Sequence, residues 1–153
     1  MIQRIQTLLL ASIVVLVGIF LSVNIVKATS EDGKSVTLNA FTETLIENGK
    51  ETQSTKFFIA AFAILVAGTV IYNIFQYSNR RKQMLIGLIT SLLCFIWLGL
   101  TMWQAYSVAA SISAPPAYQK GLFIPAACML LNTMASKFIR RDEKLVNDAD
   151  RLR

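Results

Sequence analysis

The chain has 153 residues, 54% of them hydrophobic and 16% charged, with a formal net charge of +6. A soluble domain carries about 45–50% apolar and about 25% charged residues, and here the apolar residues form four long runs with the charges between them. That distribution excludes a water-soluble fold, leaves no run for a separate soluble domain, and predicts one integral membrane domain over residues 1–153.

The first run, 7–26, reads TLLLASIVVLVGIFLSVNIV. About 20 apolar residues at a rise of about 1.5 Å each cross a hydrocarbon core of about 30 Å. Arg4 and the small residue Ala28 would also suit a signal peptide, but the apolar stretch exceeds the about 7–15 residues of a signal core, so an uncleaved helix is expected. The loop 27–56 follows, and within it SVTLNAFTETLIENGKETQST has the composition of strands. Asn48-Gly49 between TLIE and KETQST is the dipeptide of a tight hairpin turn, which predicts a small β-hairpin of two or three strands between helices 1 and 2. A lone hairpin is marginal in water, so it must rest on the helix ends or on a partner.

Runs two, three and four cover about 57–77, 84–106 and 121–139. Their backbones must satisfy their own hydrogen bonds in lipid, which demands helices. None alternates with period two, which excludes a β-barrel. The second outer connection, SVAASISAPPAYQK, reads as a short turn stiffened by Pro115 and Pro116. The expected fold class is therefore an all-α four-helix transmembrane bundle carrying a small extracytoplasmic hairpin.

Orientation follows from the basic residues. The N-terminus, the second loop and the tail carry ten: Arg4, Arg80, Arg81, Lys82, Lys137, Arg140, Arg141, Lys144, Arg151 and Arg153. The other side carries five: Lys27, Lys34, Lys50, Lys56 and Lys120. The positive-inside rule then predicts both termini in the cytoplasm. Phe57, Phe58, Tyr77, Trp103, Tyr106 and Tyr118 fall at the proposed interfaces, where aromatic side chains gather. The basic residues lie just beyond the apolar runs, where they meet lipid headgroups, so the bilayer is the expected partner and nucleic acid is not.

No Asp, Glu, Lys, Arg or His sits in the middle of any run, which argues against a pump or proton-coupled carrier. The chain has no histidine, the commonest general base and metal ligand, and no serine has an obvious base beside it. No catalytic residue, metal site or cofactor is expected. Cys94 and Cys128 lie near the centre of their runs and read as small buried residues. Uncharged polar residues cluster instead. Thr69, Asn73 and Gln76 share one helical face, as do Cys128, Asn132 and Ser136. Asn73, Gln76, Asn132 and Ser136 are thus candidates for an intramembrane polar layer in the cytoplasmic half. It would serve either hydrogen bonding between helices or a vestibule for a polar solute or lipid headgroup. The pairs Gly18 and Ser22, Ala63 and Ala67, and Gly87 and Ser91 have small-xxx-small spacing, which permits self-association without requiring it.

The tail 140–153 is rich in both signs of charge, with five basic and four acidic side chains. As a helix it places Leu145, Ala149 and Leu152 on one stripe, with opposite charges spaced to pair along its surface. A lipid anchor would be more one-sided in charge. Arg141, Asp142, Glu143, Lys144, Leu145, Ala149 and Leu152 are therefore candidate contacts for a protein partner.

Residues 1–6 (MIQRIQ), the turn Arg80-Arg81-Lys82-Gln83 and the tail motifs DEKLV and DRLR resemble a family of four-span membrane proteins of Bacteroidota, catalogued as domain of unknown function 4293. The resemblance implies the inner membrane of a Gram-negative bacterium and brings no activity and no site residues. The leading expectation is a non-enzymatic accessory or scaffold subunit of an inner-membrane complex. The alternative is a small transporter or lipid-binding protein that uses the polar layer.

Overall fold

A computed structural model describes residues 2–30, 33–47, 49–77 and 79–151 of the chain, with the backbone alone at 2–4 and 146–151. The described residues form four helices, α1 (Ile2–Ser22), α2 (Phe57–Phe75), α3 (Arg80–Ser111) and α4 (Lys120–Arg151), with four strands between α1 and α2 and a fifth between α3 and α4. The strands are β1 (Asn24–Thr29), β2 (Ser35–Asn39), β3 (Thr42–Glu47), β4 (Lys50–Thr55) and β5 (Ala117–Tyr118). Each helix packs on two others: α1 on α2 and α4, and α3 on the same two. Phe20 and Trp97 meet between α1 and α3, their ring centroids 4.7 Å apart and edge to face. All four helices are long and apolar enough to cross a membrane. Outward-facing Leu8, Val15, Ile64, Phe75, Leu92, Phe95 and Leu130 are exposed. That surface suits a lipid surround, since soluble monomers rarely expose large contiguous apolar patches. The helices are consistent with a multi-pass membrane protein.

The hairpin expected between helices 1 and 2 is present but is only part of a larger sheet. β3 and β4 pair antiparallel, with Glu47 opposite Lys50 across a two-residue turn. Gly49 supplies the positive φ of 77° that this turn demands, while Asn48 lies outside the described residues. The sheet extends further, in the order β4-β3-β2-β1-β5. Two expectations are corrected here. The first apolar run is not helical to Val26: α1 ends at Ser22, and Asn24, Ile25 and Val26 enter β1. The β-branched pair favours a pleated, half-buried surface, and its side chains are fully buried against the helix ends. The connection after α3 is not a bare turn either, since Ala117 and Tyr118 form β5 on the edge of β1.

The sheet grades from buried to exposed. Ile25, Val26, Ala28, Val36 and Leu38 join the core, whereas every residue of β4 is exposed. Lys50, Glu51, Gln53 and Ser54 keep this edge polar, which discourages pairing with another chain. Asn39 Oδ1 accepts from the backbone N–H groups of Phe41 (3.0 Å) and Thr42 (2.8 Å), turning β2 into β3. Lys34 reaches Glu47 at 2.7 Å across the turn end of the sheet.

α3 outruns its predicted span at both ends. Asn79 caps its start by accepting from the Lys82 N–H. At its end the Ser113 N–H donates to the Ala110 carbonyl and the Ala114 N–H to the Ala109 carbonyl, with Ser113 at φ 52°. That paired closure satisfies two orphan carbonyls and stops the helix. α4 begins hard against β1. A Cβ on Gly121 would lie 2.6 Å from the carbonyl oxygen of Asn24 and 3.1 Å from its carbon. Backbone cannot yield as a side chain can, so Gly121→Ala is expected to destabilise the protein by about 1–3 kcal/mol. Thermal unfolding in detergent checks this, and an unchanged midpoint would mean that α4 and β1 are not in this contact.

Candidate functional site

The sheet sits where α1 and α3 finish and α2 and α4 begin. The opposite end, here the terminal end, carries the start of α1, the α2–α3 turn and the final stretch of α4. At about 1.5 Å per residue the 32-residue α4 runs about 48 Å, well past a core of about 30 Å. Two side chains tie it down there. Gln6 Nε2 of α1 donates to Asp142 Oδ2 at 3.2 Å, and Arg80 Nη1 of α3 donates to the Asp142 carbonyl at 2.8 Å. The Arg81–Glu143 pair, at 4.0 Å with the arginine 89% exposed, adds little.

α2 stops at Phe75 while α1 and α4 continue. A cavity of about 600 Å³ opens beside this end, lined by residues from all four helices and by Tyr77 of the α2–α3 turn. Leu8, Ile74, Phe75 and Ile139 give it apolar walls, and Gln6, Arg80, Gln83 and Asp142 give it a polar end. Leu8 and Phe75 are 67% and 72% exposed, so the cavity is flanked by outward-facing apolar side chains. Gln6 and Gln83 are buried. Gln83 Nε2 reaches the backbone carbonyl of Asn73 only at 3.5 Å, a weak bond that leaves the amide free to turn. One cation, one anion and two amides supply donors and acceptors together, beside an apolar wall.

The candidate polar layer resolves into a node and an outlier. Asn132 Nδ2 donates to the Gly87 carbonyl and to Ser91 Oγ, both at 2.8 Å. The space beside Gly87 is tight, since a Cβ there would lie 2.9 Å from Ser136 Oγ and 3.9 Å from Asn73 Nδ2. Thr90 donates to Thr69 Oγ1 at 3.3 Å and to the Ile86 carbonyl at 2.9 Å. Among the described residues, fully buried Asn73 has no hydrogen-bond partner at either polar side-chain atom, and Asn132 Oδ1 has none. Gln76 is set apart. It is half-buried at the end of α2, where its N–H donates to the Asn73 carbonyl.

The candidate tail contacts also divide. Arg141, Lys144 and Leu145 are exposed. Asp142 and Glu143 are half-buried and turned onto α1 and α3. The side chain of Ala149 and all of Leu152 lie outside the described residues. Among the described residues no three His, Cys, Asp or Glu side chains converge to hold a metal. Cys94 and Cys128 are buried and free. Gln6 and Gln83 were not among the expected site residues. Their only sequence signal is position: each ends a motif of the family resemblance, MIQRIQ and RRKQ.

Four packed helices of membrane-spanning length carry a five-stranded sheet at one end and a mixed polar and apolar cavity at the other. The chain belongs to the family described as domain of unknown function 4293, whose model matches residues 2–152. No curated protein matches the sequence.

Proposed function

We propose that this is a non-enzymatic, multi-pass protein of a bacterial inner membrane that binds an amphiphile at its terminal end. The positive-inside count puts that end, with both termini, in the cytoplasm and the sheet on the outside. The observation that carries the reading is the cavity of about 600 Å³ with its polar end at Gln6, Arg80, Gln83 and Asp142. Ligand pockets run to about 300–1,000 Å³ and combine apolar walls with a few placed polar groups. The bilayer supplies the ligand, and the exposed Leu8 and Phe75 receive its chains.

The test is binding of a fluorescent phosphatidylethanolamine to the full-length protein in mild detergent. Arg80→Gln is expected to weaken binding roughly tenfold to a hundredfold, as loss of a charged hydrogen bond of about 1.5–3 kcal/mol implies. Leu8→Trp, at an exposed position, should fill the mouth and weaken binding without lowering the unfolding midpoint. Undiminished binding in both variants sinks the reading.

A second reading, an accessory subunit of an inner-membrane assembly, is favoured by one feature. α4 remains helical to Arg151 and presents Arg141, Lys144 and Leu145 outward. Its partner would be another inner-membrane protein or a second copy of the chain. Deleting 145–153 should strip a defined companion set from the protein while leaving amphiphile binding intact.

A further inference from the structure

A second, smaller cavity of about 180 Å³ lies between α3 and α4, and its chemistry differs from that of the first. On α3 its wall is the stripe Met84, Gly87, Leu88 and Ser91, and on α4 it is Thr133, Ser136, Lys137 and Arg140. Both sets recur at i, i+3 or i+4, and i+7, so each is one helical face, and the two faces oppose. Gly87 leaves the floor open at the level of Ser136 Oγ.

The polar groups here are donors. Lys137 and Arg140 are exposed, and neither pairs with an acidic side chain among the described residues. The lining contains no Asp or Glu. Ser91 Oγ accepts the Asn132 amide at 2.8 Å, which leaves its own O–H to donate. Behind it Asn132 is fully buried with one side-chain oxygen unpartnered. Two cations and hydroxyl donors without a carboxylate are the complement of an oxyanion. Leu88, 66% exposed, continues the groove along the outward apolar surface.

We propose that this groove binds the phosphate of an anionic phospholipid, with Lys137 and Arg140 at its mouth, Ser91 and Ser136 at its floor, and an acyl chain along Leu88. Basic pockets between membrane helices take anionic headgroups on this electrostatic ground. The site is independent of the cavity at the α2 end, which holds an acid and shares none of these residues. A lipid seated here would bridge α3 and α4 beside the node at Gly87.

Native mass spectrometry of the full-length protein tests it, with phosphatidylglycerol and diacylglycerol of matched chains as probes. Phosphatidylglycerol should be retained roughly 10–30-fold better, and Lys137→Gln with Arg140→Gln should abolish that preference. Ser136→Ala, which removes a hydroxyl without a partner among the described residues, should reduce it while the protein stays folded. Lys82→Gln with Arg141→Gln removes two cations from the same end outside the groove and should leave the preference intact. An equal loss in that control would reduce the effect to general surface charge and overturn the proposal. Displacement of the lipid by millimolar inorganic phosphate would overturn it too, by making the ligand a soluble phosphate.

Discussion

Trp97→Ala is expected to lower stability by about 3–5 kcal/mol, the range for truncating a buried large aromatic. Trp97 is the largest of the fully buried side chains and lies edge to face against Phe20. That pairing accounts for about 0.5–1.5 kcal/mol of the loss, and the remainder is the cavity left between α1 and α3. The indole carries a second, sharper expectation. Its Nε1–H is buried without a partner among the described residues, so Trp97→Phe discards no hydrogen bond seen there and removes an unsatisfied donor. It should therefore be much milder than Trp97→Ala. Unfolding by a denaturing detergent titrated into mixed micelles measures both. Equal losses would mean that the indole N–H has a bonding partner, such as an internal water.

The helices were legible in the sequence because the bilayer imposes one rule: about 20 apolar residues without charge make a span. The ends of α1 and the sheet were harder for a physical reason. Ile25 and Val26 are apolar, and hydropathy cannot tell a buried strand from the last turn of a buried helix. Asn24 is the local hint, a polar residue where a helix in lipid would need none. β5 has no signal of its own, since Ala117 and Tyr118 become a strand only because β1 offers an edge. The Asn-Gly turn was legible because Gly49 must take a positive φ, and a chemical requirement that specific leaves a mark on the sequence. The cavity at the terminal end left no such mark. Gln6, Arg80, Gln83 and Asp142 come from three different helices. Periodicity places residues on one helix face but does not say which faces meet. Arg80 in particular was legible as a topology signal. Its bond to the Asp142 carbonyl depends on α4 staying helical past Ile139.

Asn73→Leu and Asn132→Leu should move stability in opposite directions, although periodicity gives the two asparagines the same standing. Asn132 joins α4 to α3 through two bonds from one amide, to Gly87 and Ser91. Leucine would break both and leave the Gly87 carbonyl with only its helical partner. Contacts of this kind in membrane proteins average about 0.6 kcal/mol each, so the loss is about 1 kcal/mol before any repacking. Repacking adds to it, because Gly87 and Ser136 already hold α3 and α4 close and a branched side chain there forces the helices apart. Asn73 is also fully buried, yet neither its side-chain oxygen nor its side-chain nitrogen has a partner among the described residues. An unsatisfied buried polar group costs about 1–3 kcal/mol, and an apolar side chain of similar size relieves it. Asn73→Leu is thus expected to raise the unfolding midpoint, while its effect on ligand binding is read separately. A fall in the midpoint would show that Asn73 is bonded in the native protein, to water or to a bound solute. The layer would then be a wet site rather than a strained contact. The sign of that one change separates a polar node that only joins helices from one that holds something.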